Sequence, residues 1–341
     1  MLMKKRAWLL GMITSLLLVL PRCNIYQSIP QEDHVSKEAI HNTWFTGPDS
    51  LNYEAPISDT EDHMKGTDLG IPFLHDNEVY FLFGDTNTKE ASPGRDISNL
   101  IGKLDHNSNS RTGIEILGKI VDRNDFDETI HTVIPTGAIS LDDKIYVNLM
   151  LINEWGQPGK WETSGSIIAS SEDDGKTFEW HDYFPEDSNF VQTYFFNNPN
   201  DQNYVYLLGL SEGRFGGVKL GRVAPENLDN LESIEYYNHD NWTISEEDAS
   251  IVVEGPVGEL SVKYDSSSEE YQMFYLNETK DDIVMRTSSN LINWGPEQLV
   301  LECEDEFAGC YAPMVWPNSN VLNISFWNNY NVRIIELDKI Q

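Results

Sequence analysis

Basic residues are scarce in this sequence. Its 23 Lys and Arg stand against 56 Asp and Glu, a formal net charge of −33, and a surface of that sign repels nucleic-acid phosphates and anionic lipid headgroups. A nucleic-acid partner is thereby excluded, and a neutral partner is favoured. Cysteine is equally sparse, with three residues, and the eight His are scattered with no Cys or His at zinc-ligand spacing, so neither a metal nor a cofactor is expected. Helical periodicity of useful length is missing, which excludes bundles and alternating α/β folds. The acidic runs Glu172-Asp173-Asp174 and Glu246-Glu247-Asp248 read as solubilising surface. With 40% hydrophobic residues, of which the aromatics alone make 11% of the chain, a sizeable core is available and disorder is excluded.

Long apolar runs are absent after the first residues. Lys4, Lys5 and Arg6 precede a run from Ala7 to Leu20 that is short for a bilayer span and has the layout of an export signal. Residues 1–22 are therefore expected to be that signal, 23–45 a polar linker and 46–341 a single domain. Cys23 stands where a bacterial lipoprotein carries its lipidated cysteine, but Arg22 occupies the place of a small residue. Plain cleavage is preferred over a lipid anchor at Cys23, the only membrane attachment expected. The protein is expected to be secreted, or held at the cell surface or in the periplasm, as a monomer. In an oxidising compartment Cys303 and Cys310 form an even pair closing a short loop; a disulfide is favoured over two buried thiols. Sequons at Asn241, Asn277 and Asn323 matter only in a host that glycosylates exported proteins.

Short segments rich in Val, Ile, Tyr and Phe recur between turn-forming clusters: Val79–Phe83, Lys144–Leu149, Tyr204–Leu208, Tyr271–Tyr275 and Asn323–Trp327. Their spacing of about sixty residues suggests a repeated sheet unit and an all-β, five-bladed β-propeller, with a double sandwich as the alternative. Ser171-Glu172-Asp173-Asp174-Gly175-Lys176-Thr177-Phe178 fits the Asp-box pattern of propellers, and Ser288–Trp294 is a degenerate copy. In such a box the carboxylate binds turn amides and the glycine takes positive φ, so Asp173 is given no catalytic role.

The stretch from Gly66 to Thr86 reads as a hairpin. If Asp76-Asn77 form a two-residue turn, unbroken register brings Asp68 directly opposite Asp85 at the open end. Cross-strand Cβ atoms lie about 5 Å apart, so two like charges would raise one pKa. Glycoside hydrolysis uses such a pair, one carboxylic acid protonating the leaving oxygen while a carboxylate attacks or activates water. Hairpin geometry alone favours the plainer option, that Asp68 and Asp85 cap turns or hold Ca²⁺. Glu259, before a late strand, is a third candidate acid, although an acid there is ordinarily solvated. Asn153, Trp155, Trp161, Arg214, Tyr311 and Asn329 lie at other predicted strand ends, where rings, amides and guanidinium groups suit sugars. Most such aromatics are core residues.

Several motifs in order resemble one family. They are Gly66-Thr67-Asp68-Leu69-Gly70, Phe83-Gly84-Asp85-Thr86, Ile134-Pro135-Thr136-Gly137, Trp155 to Thr163, Gly213-Arg214-Phe215-Gly216-Gly217, Gly258-Glu259-Leu260-Ser261-Val262, Tyr311-Ala312-Pro313-Met314-Val315 and Trp327 to Val332. Together they resemble the domain-of-unknown-function family 4185 from about Thr60 to the C-terminus. The resemblance implies a five-bladed propeller, with members that are endo-acting hydrolases of the α-D-arabinofuranosyl linkages of mycobacterial arabinogalactan and lipoarabinomannan. It implies a catalytic Asp pair in the first blade, matched here by Asp68 and Asp85, and adds Thr136 to the substrate-binding candidates. Asp68 as nucleophile or base and Asp85 as acid is the preferred division of roles. A secreted hydrolase of an arabinofuranosyl polysaccharide is thus the leading expectation, with a non-catalytic glycan-binding propeller as the alternative. Sialidase chemistry finds no arginine triad with a Tyr–Glu pair.

Overall fold

The structure, a computed structural model, describes residues 43–58, 60–88, 97–105 and 113–337. The expected export signal, Cys23 and linker residues 23–42 lie outside the described residues. Within them the chain folds into five larger antiparallel sheets, the blades, and one two-stranded pair, Ala55–Pro56 with His63–Met64. Blade one comprises Gly66–His75, Glu78–Asn87, Leu100–Leu104 and Ile114–Lys119. Blade two comprises Thr132–Leu141, Lys144–Trp155, Trp161–Ser171 and Glu179–Phe184. Blade three begins Gln192–Asn197, Val205–Leu210 and Val218–Val223, then adds an outer hairpin of Glu235–Asn238 and Asn241–Thr243. Blade four comprises Leu260–Asp265, Glu270–Asn277, Asp282–Ser288 and Gln298–Glu302. Cys310–Val315, Val321–Phe326 and Asn331–Glu336 open blade five.

The first strand of each blade packs against the first strands of both neighbours, so the five close a ring around a central axis. This is the expected propeller, and the five recurrent segments are the second strands of its blades. Two-residue turns set the hairpin registers. Asp76 and Asn77 have φ of 49° and 63°, and Asp142 and Asp143 have 46° and 65°, the left-handed pair that these side chains tolerate.

Blade five is completed by the other end of the chain. Thr43 pairs with Ile334 and Trp44 with Arg333. Phe45 N–H donates to Val332 O at 2.8 Å, and Thr46 Oγ1 donates to Asn331 Oδ1 at 3.1 Å. The fully buried Phe45 ring lies 4.9 Å from Phe81 of blade one. Residues 43–45 of the expected linker therefore take part in the propeller; a two-residue edge strand carries too little periodicity to be read locally.

The Asp box is a turn device. Asp173 Oδ1 accepts from the Lys176 and Thr177 amides at 3.1 and 2.9 Å. Those bonds, Thr177 N–H first, hold its carboxyl down at about 2. In the degenerate copy Asn290 Oδ1 does the same for Ile292 and Asn293, at 3.1 and 2.9 Å. Cys303 and Cys310 are bridged, with Cα atoms 5.2 Å apart. Asn277 and Asn323 are buried, so of the three sequons only Asn241 offers an exposed acceptor.

Truncating Phe45 to Ala should cost about 3–5 kcal/mol, because a filled site between the first and last blades is emptied. Urea unfolding measures it; an unchanged midpoint would show that the N-terminal segment does not close the ring.

Candidate active site

The open hairpin ends of the blades surround a cavity of about 690 Å³ lined by residues from all five. Blade one contributes Asp68 and Asp85. The hairpin keeps its register from His75–Glu78 to Ile71–Leu82 and again at Thr67–Thr86, but bulges between, where Leu69 pairs with Phe83. Asp68 therefore faces Gly84 and Asp85 together rather than Asp85 directly, a correction to the unbroken register expected. The bulge forms because Leu69 and Gly70 take φ of 66° and 60° and blade five takes over the freed backbone groups. Ser325 Oγ accepts from Leu69 N–H at 2.8 Å, and Asn323 Nδ2 donates to Gly70 O at 2.7 Å. Gly84 is required opposite the bulge, since a Cβ there would overlap Asp68 Oδ1.

Asp68 is buried. Tyr311 and Tyr330 donate their hydroxyls to its Oδ2 at 2.8 and 3.1 Å, while Oδ1 has no hydrogen-bond partner. Burial, and next the charge of Asp85, push the Asp68 carboxyl up to about 7 against the two phenol hydrogen bonds. Burial likewise lifts both phenols well above 10, so they remain donors. Asp85 is half-buried, and its Oδ1 accepts from Thr132 Oγ1 of blade two at 2.7 Å. Burial thus favours the protonated form of Asp68 up to about pH 7, and an oxygen of each carboxyl is oriented by hydroxyl donors.

Arg214 crosses the cavity from blade three. Its Nε and Nη2 donate to Glu259 Oε1 at 3.1 and 2.7 Å, and Nη1 donates to Glu278 Oε2 at 3.3 Å. The guanidinium carbon stands 5.0 Å from the Tyr311 ring centroid and 5.7 Å from that of Trp161. Its backbone N–H donates to Gly159 O at 2.9 Å, clasping the rim loops of blades two and three. Burial pushes the Glu278 carboxyl up, against the opposing charge of Arg214. Glu259, carried as a third candidate acid, is tied into this ion cluster, because the oppositely charged guanidinium of Arg214 lies within hydrogen-bonding reach of its carboxylate.

Of the other candidates, Thr136, Trp155, Trp161 and Tyr311 line the cavity. Thr136 Oγ1 is engaged between blades, donating to Thr193 O at 3.2 Å and accepting from Asn148 Nδ2 at 2.8 Å. Asn153 and Asn329 are not among the lining residues; Asn329 points outward in the turn whose next residue, Tyr330, points in. Tyr330 and Glu278 were missed. Tyr330 ends the Trp-Asn-Asn-Tyr run already singled out, whereas Glu278 gave no signal beyond an acid after a strand.

Fold and site define a five-bladed β-propeller with two neighbouring carboxyls, Asp68 and Asp85, in an axial cavity. The chain belongs to the family described as a domain of unknown function, DUF4185, whose model matches residues 56–336. No curated protein matches it. Among solved structures it is similar to Zg3597, a family 117 glycoside hydrolase of Zobellia galactanivorans, at 12% identity and TM-score 0.52, covering 86% of this chain and 87% of that one. A xylan β-1,4-xylosidase from Bacillus halodurans gives 9% and 0.52, covering 83% of this chain. The GH32 β-fructofuranosidase BmSUC1 of Bombyx mori gives 11% and 0.52, covering 87% of this chain and 62% of that one. The chain spans about half of the Bacillus xylosidase, 53%. At these identities the likeness establishes the shared fold.

Because the folded-state pKa of Asp68 lies above its ordinary 3.8, at about 7, the native state binds the proton more tightly than the unfolded chain. Stability should therefore be greatest below pH 4 as far as this group is concerned, and should fall as pH rises to 7, by up to about 4 kcal/mol. Denaturant unfolding from pH 4 to 8 checks it: Asp68→Asn should remove that part of the slope, and a wild-type slope in the variant would refute the assignment.

Proposed function

We propose that this protein is an exported glycoside hydrolase that cleaves arabinofuranosyl linkages of a D-arabinan-type polysaccharide through the Asp68–Asp85 pair. The observation that carries it is the buried Asp68 carboxyl set beside Asp85 in a cavity, where burial and the charge of Asp85 favour its protonated form, an arrangement in which one acid can protonate a leaving oxygen while the other serves the anomeric carbon. Burial pushes up the carboxyl of Asp68, the member preferred as nucleophile or base, so the pair is proposed as a unit without that division of roles. Support for the class of chemistry comes from the xylosidase, the family 117 glycoside hydrolase and the β-fructofuranosidase that share the fold. Support for a furanoside comes from the ordered motifs around Asp68, Asp85, Trp155, Arg214 and Tyr311. The acidic walls suit an uncharged glycan. In this proposal Glu259 holds Arg214 beside Tyr311 and keeps negative charge near Asp68, rather than giving up a proton itself.

Asp68→Asn and Asp85→Asn should each reduce oligosaccharide release from D-arabinan by at least about a hundredfold, with cooperative unfolding retained and L-arabinan and galactan as controls. Wild-type activity should fall as pH rises through about 7, as Asp68 loses its proton. Near-full turnover in both variants would sink the proposal. Glycan binding by the wild type without product on long incubation would leave the non-catalytic reading.

A further inference from the structure

Two tryptophans on the cavity rim are left exposed: Trp155 at 44% and Trp327 at 70% of their surface. Both line the cavity, and they occupy matching places in the propeller. Trp155 ends the second strand of blade two, and Trp327 follows the last residue of the second strand of blade five. Blade one, whose second strand carries Asp85 near its corresponding end, stands between them in the ring.

Each is also braced in the same way. Trp155 meets Trp161 edge-on, with centroids 5.7 Å apart and planes at 72°; Trp327 meets Tyr330 edge-on, at 6.1 Å and 71°. The rim backbone beneath them is tied down. Trp327 N–H donates to Gly309 O at 2.8 Å, and Gly156 N–H, next to Trp155, donates to Lys160 O at 2.9 Å. Large apolar rings exposed along the rim of one cavity offer a binding surface. Tryptophan faces suit the C–H faces of sugar rings, and rigid platforms lose little entropy when a ligand stacks on them.

The acid pair is bonded to both flanks. Tyr330, the brace of Trp327, donates to Asp68, and Thr132 of blade two donates to Asp85. We infer that Trp155 and Trp327 are paired stacking platforms on either side of the acid pair, and that they hold one extended, uncharged glycan chain lying across blade one. This rests on the glycan-hydrolase reading and adds to it that productive binding uses both flanks at once. A short fragment covers one platform, a longer chain both.

Calorimetric titration of D-arabinan oligosaccharides, from disaccharide upward, into the Asp85→Asn protein tests the inference without turnover. Trp155→Ala and Trp327→Ala, each built in that background, should both weaken binding of the longer oligosaccharides by about tenfold. A fragment short enough to cover one side should be weakened by only one of the two. Trp→Phe at each position should recover part of the loss, which a mere disturbance of the rim would not allow. Unchanged affinity for the longer chains in either Ala variant overturns the paired platforms while leaving the hydrolase reading intact. If wild-type protein neither binds nor cleaves any of these glycans, both fall together.

Discussion

The hydrogen bonds from Tyr311 and Tyr330 to Asp68 cross the seam between the last blade and the first, and the whole site depends on that seam. The same boundary supplies Ser325 and Asn323 to the bulge that turns Asp68 inward. It is closed on its outer side by Thr43 and Trp44 pairing with the last strand. Residues separated by nearly the full length of the chain thus share one job. A ring of sheets has no other way to remove its open edge, since each blade presents strand edges and faces that only its neighbours can cover.

Arg214 organises the acids on one side of the cavity. It takes Glu259 in a fork and Glu278 on its third nitrogen, while the hydrogen bonds to Asp68 come from the phenols of Tyr311 and Tyr330. Ordinary ion pairing would hold a carboxyl low and ionised. Asp68 has phenols in place of a cation and is screened from water by burial, which is why its proton is retained to about pH 7. The disulfide between Cys303 and Cys310 stands at the entry to blade five, next to Gly309 and Tyr311 on the cavity wall.

Much of this was legible in the chain. The five recurrent β-rich segments count the blades, because each second strand is buried on both faces and so must be rich in Val, Ile, Tyr and Phe. Asp76-Asn77 sets the register of the first hairpin, and that local chemistry was enough to bring Asp68 and Asp85 to one end. What failed had long-range causes. The bulge at Leu69-Gly70 is stabilised by side chains more than 250 residues away, the closing strand Thr43–Trp44 is too short to carry a period, and Glu259 was assigned without its partner because Arg214 lies in another blade. Tyr330 and Asn329 are neighbours in one turn, and only the turn's conformation decides which of them enters the cavity.

By itself, then, the sequence determined the all-β class, the number of blades, the turns and the nearness of Asp68 to Asp85, since each of these follows from residue type and spacing within a few tens of residues. The tertiary structure decided that the Asp68 carboxyl is pushed up, which acids are bound by arginine and where the ring closes. Burial and Coulomb interaction depend on distance through space, and in a propeller the groups that come within hydrogen-bonding reach at the axis are drawn from every part of the chain.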